Sequence, residues 1–149
     1  MKTEVPRYSP HLPLPLYRYI PGKGPKDEHR KDLPKIKKRD FSEAYRYGID
    51  LFNHEFYYEA HEVWEELWHE VGHSTLQGKF LKALIQLSAI QLKLILQETK
   101  PAHRLQTSAQ KLLEDILLSM HVKNFMGISL PDLIQQSRQF EKFQIKFSL

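Results

Sequence analysis

Ten consecutive residues, Glu59-Ala60-His61-Glu62-Val63-Trp64-Glu65-Glu66-Leu67-Trp68, put one histidine, four carboxylates and two tryptophans on about three turns of a helix. At about 100° per residue, with His61 set at 0°, Glu65 falls near 40°, Trp68 near 340° and Tyr57 near 320°, so these four share one edge. Glu59, Glu62, Glu66 and Glu70 fall between about 100° and 180° and are expected to face water. A carboxylate partly buried beside an imidazole is a pair whose protonation its surroundings can tune. The chemistry suggested is acid/base catalysis by His61 and Glu65, or the anchoring of a small ligand, with Trp68 and Tyr57 as an aromatic wall. Gln86, the polar residue nearest the middle of a later apolar helix, joins the ligand-binding set if its strip faces His61 or Glu65. If that strip faces solvent, Gln86 has no special role.

Other chemistries fit the spacing less well. His61-Glu62-Val63-Trp64-Glu65 is one residue away from the zinc-protease pattern, with Glu65 where the second histidine would stand. His61 and Glu65 could hold a divalent metal, but the spacing does not favour it. His69 falls near 80° and His73 lies beyond a helix-ending glycine, so a third ligand is poorly placed. A carboxylate-bridged di-metal centre needs Glu-x-x-His on two helices, and Glu66-x-x-His69 and Glu70-x-x-His73 share one segment. Cysteine is absent, Ser88 lacks a nucleophile-elbow context, and no glycine loop suits a phosphate. A purely structural reading stands beside the chemical one, with His61, Glu65, Trp68 and Gln86 as a hydrogen-bonded cluster that fixes helix packing.

The elements that must position these residues are helical. Asp40 and Glu43 form a capping box for a first helix that runs to about Phe52, and Asn53-His54 turns the chain. The second helix spans about Phe56 to Val71 with Leu67, Ala60, Val71, Trp64, Tyr57 and Trp68 as its core stripe, and Gly72 ends it. The third, from about Leu76 to Gln97, is apolar around most of its circumference and is expected to be central. Thr99 is expected to cap a fourth with an apolar face from Leu105 to Met120, Asn124 to Ile128 to form a loop, and Ser129 to cap a last short helix. The fold class is therefore all-α: a compact helical bundle of four main helices plus a short C-terminal helix, without strands.

Residues 1–39 differ in composition. They carry seven of the nine prolines, and residues 1–40 hold eleven Lys/Arg against five Asp/Glu, while the remainder holds eleven against thirteen. The expected division is a proline-rich basic arm, 1–39, packed partly on a single helical domain, 40–149. Leu12, Leu14, Leu16, Tyr17, Tyr19 and Ile20 are too apolar for a solvated linker and predict an extended strap. Pro21 to Pro25 read as a turn and Lys26 to Lys38 as a mobile charged connector. The body offers no basic face, so nucleic acid would be reached only through the arm. Without cysteines, a signal segment or a membrane-length apolar run, the expectation is a cytoplasmic protein that avoids membranes. Its partner would be a small molecule or a protein, including a second copy in a homodimer. The non-enzymatic alternative is an interaction module built on the arm and the apolar helix faces.

The run Leu51-Phe52-Asn53, Tyr57, Glu59-Ala60-His61-Glu62, Glu65 and Leu67-Trp68, followed by Leu84-Ile85-Gln86 and Ala89, resembles the family catalogued as domain of unknown function 309, small helical proteins of prokaryotes and plants. Its kernel is a His-x-x-x-Glu-x-x-Trp motif, here His61, Glu65 and Trp68, with an Ile-Gln pair downstream. The Leu14 to Gly22 segment and Met126-Gly127-Ile128 extend the resemblance. The chain departs from it at Glu55, where a glycine is usual, at Lys82-Ala83 and at Glu98-Thr99. The resemblance implies a helical fold and a candidate site, without naming an activity.

Overall fold

The structure is a computed structural model that describes residues 4–23, 34 and 40–148. The connector expected over Lys26 to Lys38, Pro34 aside, and the Gly24-Pro25 end of the expected turn lie outside the described residues. Five helices follow in order: α1 (Phe41–Asn53), α2 (Tyr57–Val71), α3 (Leu76–Ile95), α4 (Thr99–Met120) and α5 (Leu130–Ser137). Consecutive long helices pack on one another, α1 on α2, α2 on α3 and α3 on α4. The all-α bundle expected from periodicity is therefore the observed architecture, apart from one small hairpin.

Local chemistry sets the helix ends. The Asp40 carboxylate accepts from the Glu43 amide at 3.3 Å, and Ser129 Oγ accepts from the Asp132 amide at 3.3 Å, so both expected caps form. Thr75 caps α3 by accepting from the Gly78 amide at 2.9 Å. Thr99 is not a cap: it is the first residue of α4, and Glu98 precedes it without a side-chain bond. Gly72, at φ +89°, ends α2 in a backbone region that a side chain would strain.

Helix α2 meets α1 at close range. The indole of Trp64 is fully buried and donates to the Tyr45 carbonyl at 3.3 Å; a Cβ on Gly48 would stand 2.1 Å from its Nε1. Phe52 stacks toward Trp64 and meets Tyr57 edge-on, extending the core that α3 completes with Phe80, Leu81, Leu84 and Leu87. The apolar wrap of α3 ends early, since Ile95 is exposed. Beyond α4 the chain forms a hairpin, β1 (Asn124–Phe125) and β2 (Ile128–Ser129), where only a loop was expected. Its turn residues Met126 and Gly127 have φ of 50° and 80°, the pair of left-handed conformations that joins two short antiparallel strands. No period-two pattern can be seen in strands of two residues.

The described part of the arm lies on α1 and α2. Asp50, fully buried, accepts from Arg7 Nε at 2.9 Å and from the amides of Tyr8 and Ser9 at 2.7 and 2.8 Å. Tyr47 donates to the Pro13 carbonyl at 2.6 Å, and Arg18 donates to the carbonyls of His54 and Glu55, both at 3.0 Å. Leu16 and Tyr17, counted among the residues too apolar for solvent, are exposed. At the opposite end Asn53 pairs through its side chain with both backbone groups of Ile145. No helix among the described residues is long and apolar enough to cross a membrane.

Candidate functional site

The edge of α2 that carries His61 rises from the core stripe that buries Tyr57, Ala60, Trp64 and Leu67. One turn on from each other along that edge stand His61 and Glu65, with His61 Nε2 3.0 Å from Glu65 Oε2. The imidazole is 27% exposed and the Glu65 carboxylate 41%, so the pair sits at the boundary between core and water. Glu62, expected to face water alone, brings Oε1 to 3.5 Å from His61 Nδ1, which places the ring between two carboxylates. Each of the three residues offers a ligand atom within 4.8 Å of the other two.

The next turns continue the row. His69 Nε2 lies 3.8 Å from Glu65 Oε1, and His73 Nε2 lies 3.2 Å from His69 Nδ1. His73 reaches back because Gly72 reverses the chain, and its ring stacks on Trp68 with centroids 3.7 Å apart and planes at 11°. Positions 61, 65, 69 and 73 thus form one row at four-residue steps. Angles referred to His61 alone made His69 and His73 look out of reach; taken step to step, each residue meets its neighbour.

Three expectations for the site change. Tyr57 is 3% exposed and packs on Phe52, so it belongs to the core, and the aromatic beside His61 is Tyr58, with ring centroids 5.9 Å apart. Burial, reinforced by the charge of Glu55, pushes the Tyr57 hydroxyl up to about 12. The Gln86 amide donates to Ser108 Oγ on α4 at 2.9 Å, so Gln86 reaches α4 instead of the His61 edge, while Lys82 and Gln97 on the same strip are exposed. Glu59 is 1% exposed and accepts from the Tyr19 amide at 2.9 Å. The arm covers the first turn of the face that helix geometry alone assigns to water, while Glu62, Glu66 and Glu70 further along it are exposed.

Buried polar atoms without a hydrogen-bond partner occur both on predicted residues and elsewhere, as at Ser9, His54 and Ser88. His61 Nδ1, Trp68 Nε1 and Gln86 Oε1 have essentially no exposed surface and no hydrogen-bond partner. An unmade bond of this kind costs roughly 1–3 kcal/mol, which marks a packing compromise or a group held for another molecule. Two clefts lie away from this edge. One, of about 190 Å³, is bordered by α5 and the Phe143 to Lys146 segment; the other, of about 440 Å³, is lined by Phe41, Tyr45, Met126 and Phe147.

The family described as Domain of unknown function (DUF309) matches residues 45–105, the stretch that runs from α1 into α4 and contains the whole row. No curated protein matches the chain.

Proposed function

We propose, taking the match of residues 45–105 to the domain of unknown function 309 family as the premise, that His61 and Glu65 form an acid/base pair that anchors a small polar ligand at the edge of α2. The carrying observation is the 3.0 Å contact between His61 Nε2 and Glu65 Oε2 on a ring that is partly open to water. A carboxylate accepting from Nε2 fixes the ring orientation and leaves Nδ1 as the acceptor of a neutral imidazole. Nδ1 has no hydrogen bond within the protein. Nδ1 has essentially no exposed surface, so a ligand N–H or O–H supplies the missing donor once a neighbouring side chain such as the half-exposed Glu62, 3.5 Å away, swings aside. Trp68, stacked with His73, and Tyr58 border the approach.

The double variant His61→Ala/Glu65→Ala separates a ligand site from a packing cluster. The expected result is a folded protein within about 1 kcal/mol of wild type, as for other partly exposed pairs, that no longer shows the thermal shift produced by ligands found in a screen of small polar compounds. A loss of several kcal/mol would make the pair structural and overturn the proposal.

A second reading is favoured by the three donors of His61, Glu62 and Glu65 within 4.8 Å of one another. One imidazole nitrogen and two carboxylates suit a divalent ion such as Mn²⁺ or Zn²⁺, and small side-chain rotations would bring them to coordination distance. A bound ion there would act as a Lewis acid toward a ligand oxygen. Metal analysis of chelator-treated and reloaded protein tests this reading, which a stoichiometric ion lost in Glu62→Gln would support and an absence of bound metal would sink.

A further inference from the structure

We propose that His69 and His73 form a two-histidine site for a borderline transition metal ion, Zn²⁺ or Ni²⁺, distinct from the His61–Glu65 pair. The first ground is distance. Two nitrogens each about 2.0–2.1 Å from a tetrahedral zinc stand about 3.3–3.4 Å apart, and His69 Nδ1 and His73 Nε2 are 3.2 Å apart. In the metal-free protein one ring donates its N–H to the other across that gap. When His73 carries its proton on Nδ1 instead, both lone pairs face one point, and a metal ion takes the place of the shared proton.

The second ground is how the two rings are held. Metal-ligating histidines almost always direct their other ring nitrogen at a carboxylate or carbonyl, which sets the tautomer. For His69 the nearest such group is Glu65, whose Oε1 lies 3.8 Å from Nε2, longer than a hydrogen bond, and its negative charge there favours the proton on Nε2 and the lone pair on Nδ1. His73 is held differently, by the face of Trp68 at 3.7 Å and by Gly72, whose left-handed backbone turns the chain back. Both rings are exposed, so an ion enters without opening the fold and water completes its coordination. Two neutral imidazoles suit Zn²⁺, Ni²⁺ or Cu²⁺ far better than Mg²⁺ or Ca²⁺, which prefer oxygen donors.

The experiment is calorimetric titration of the tag-free full chain with ZnCl₂ at pH 7.5, repeated on His73→Ala, His69→Ala and His61→Ala, with far-ultraviolet circular dichroism to confirm that each is helical. The expected result is a zinc site, separate from any ion held by His61, Glu62 and Glu65, that weakens at least about tenfold in His73→Ala and in His69→Ala, since even loss of an outer partner costs that much. His61→Ala should leave that affinity within a factor of about two. Mg²⁺ should give no heat at the same concentrations. Absence of zinc binding, or a zinc isotherm left unchanged by loss of both His69 and His73, overturns the proposal. Loss of the site in His61→Ala would overturn it too, by assigning the metal to the neighbouring pair.

Discussion

Asp50 on α1 and Glu65 on α2 are both carboxylates on the family-matched segment, and they do opposite things. Asp50 has no exposed surface and collects three N–H donors from the arm at 2.7–2.9 Å, one of them from a guanidinium. Glu65 keeps 41% of its side chain in water and shares its two oxygens between His61 and His69 at 3.0 and 3.8 Å. Burying a charge is unfavourable unless it is fully bonded, and Asp50 is bonded in the way that makes burial tolerable. A group so committed has nothing left for a ligand. Glu65 retains solvent, a titratable partner and incomplete bonding, and those features leave a side chain able to do chemistry. Glu59, only two residues from His61, falls on the Asp50 side of this divide because the arm buries it against the Tyr19 amide.

The strongest way to break the comparison is at Asp50. Asp50→Ala removes the acceptor of Arg7 Nε and of the Tyr8 and Ser9 amides, while Arg7 Nη2 keeps the Ser9 carbonyl at 2.9 Å, and removing one partner of a buried pair costs about 3–5 kcal/mol. Urea unfolding should show a loss of that size, and limited proteolysis should then cut readily near Tyr17 or Tyr19. A loss below about 1 kcal/mol with the arm still protected would show that the arm is held by something else. Gly48→Ala is expected to cost about 1–3 kcal/mol, as overpacking does, because its Cβ would overlap the Trp64 indole at 2.1 Å and push α2 from α1. Both regions rest on that contact, so the variant should weaken arm protection and ligand response together; an unchanged melting temperature would contradict the packing described.

A smaller effect is expected with pH. Burial, with added repulsion from Arg7 and Arg18, holds the His54 imidazole below the ordinary histidine range, the nearby Asp50 charge opposing only in part. The unfolded chain then binds more protons than the folded one just below the free histidine value of about 6.5, so stability is present above that pH and falls as acid is added. Comparing unfolding free energies at pH 7.5 and 5.5 for wild type and His54→Gln checks this. The wild type should lose more on acidification, and equal losses would remove His54 from the account. The slope belongs to the arm-docking face, since Arg18 of the arm donates to the His54 carbonyl at 3.0 Å and the Arg7 charge acts on the same imidazole.

Much of this was legible in the residues and some was not, for identifiable reasons. The caps at Asp40 and Ser129, the α2 core stripe and the adjacency of His61 and Glu65 follow from spacing within one element, where helix geometry is decisive. Glu59 and Gln86 went the other way because their environment comes from a different element: the arm over one, α4 over the other. A helical wheel divides a helix into faces but does not know what covers them. Glu55, which stands where the resembling family usually has glycine, adopts φ +68°, so the unusual residue marked a left-handed turn whose shape survives the substitution. The row of four-residue steps through His69 and His73 was visible as spacing, but its last step depends on the chain reversal at Gly72.

The finest test of the comparison is the coupling between His61 and Glu65 themselves. Partly exposed pairs one turn apart contribute about 0.2–1 kcal/mol, because water already solvates both groups and two side chains must be fixed to bring them together. A double-mutant cycle on His61→Ala and Glu65→Ala should therefore give a coupling inside that range, several times smaller than the loss at Asp50, and it should shrink in high salt. The 3.0 Å contact would then hold the pair in position without anchoring the fold, which is the condition for a site that can exchange one of its bonds for a ligand. A coupling of 3 kcal/mol or more would place Glu65 with Asp50 as a structural carboxylate and would erase the distinction between the two faces of α2.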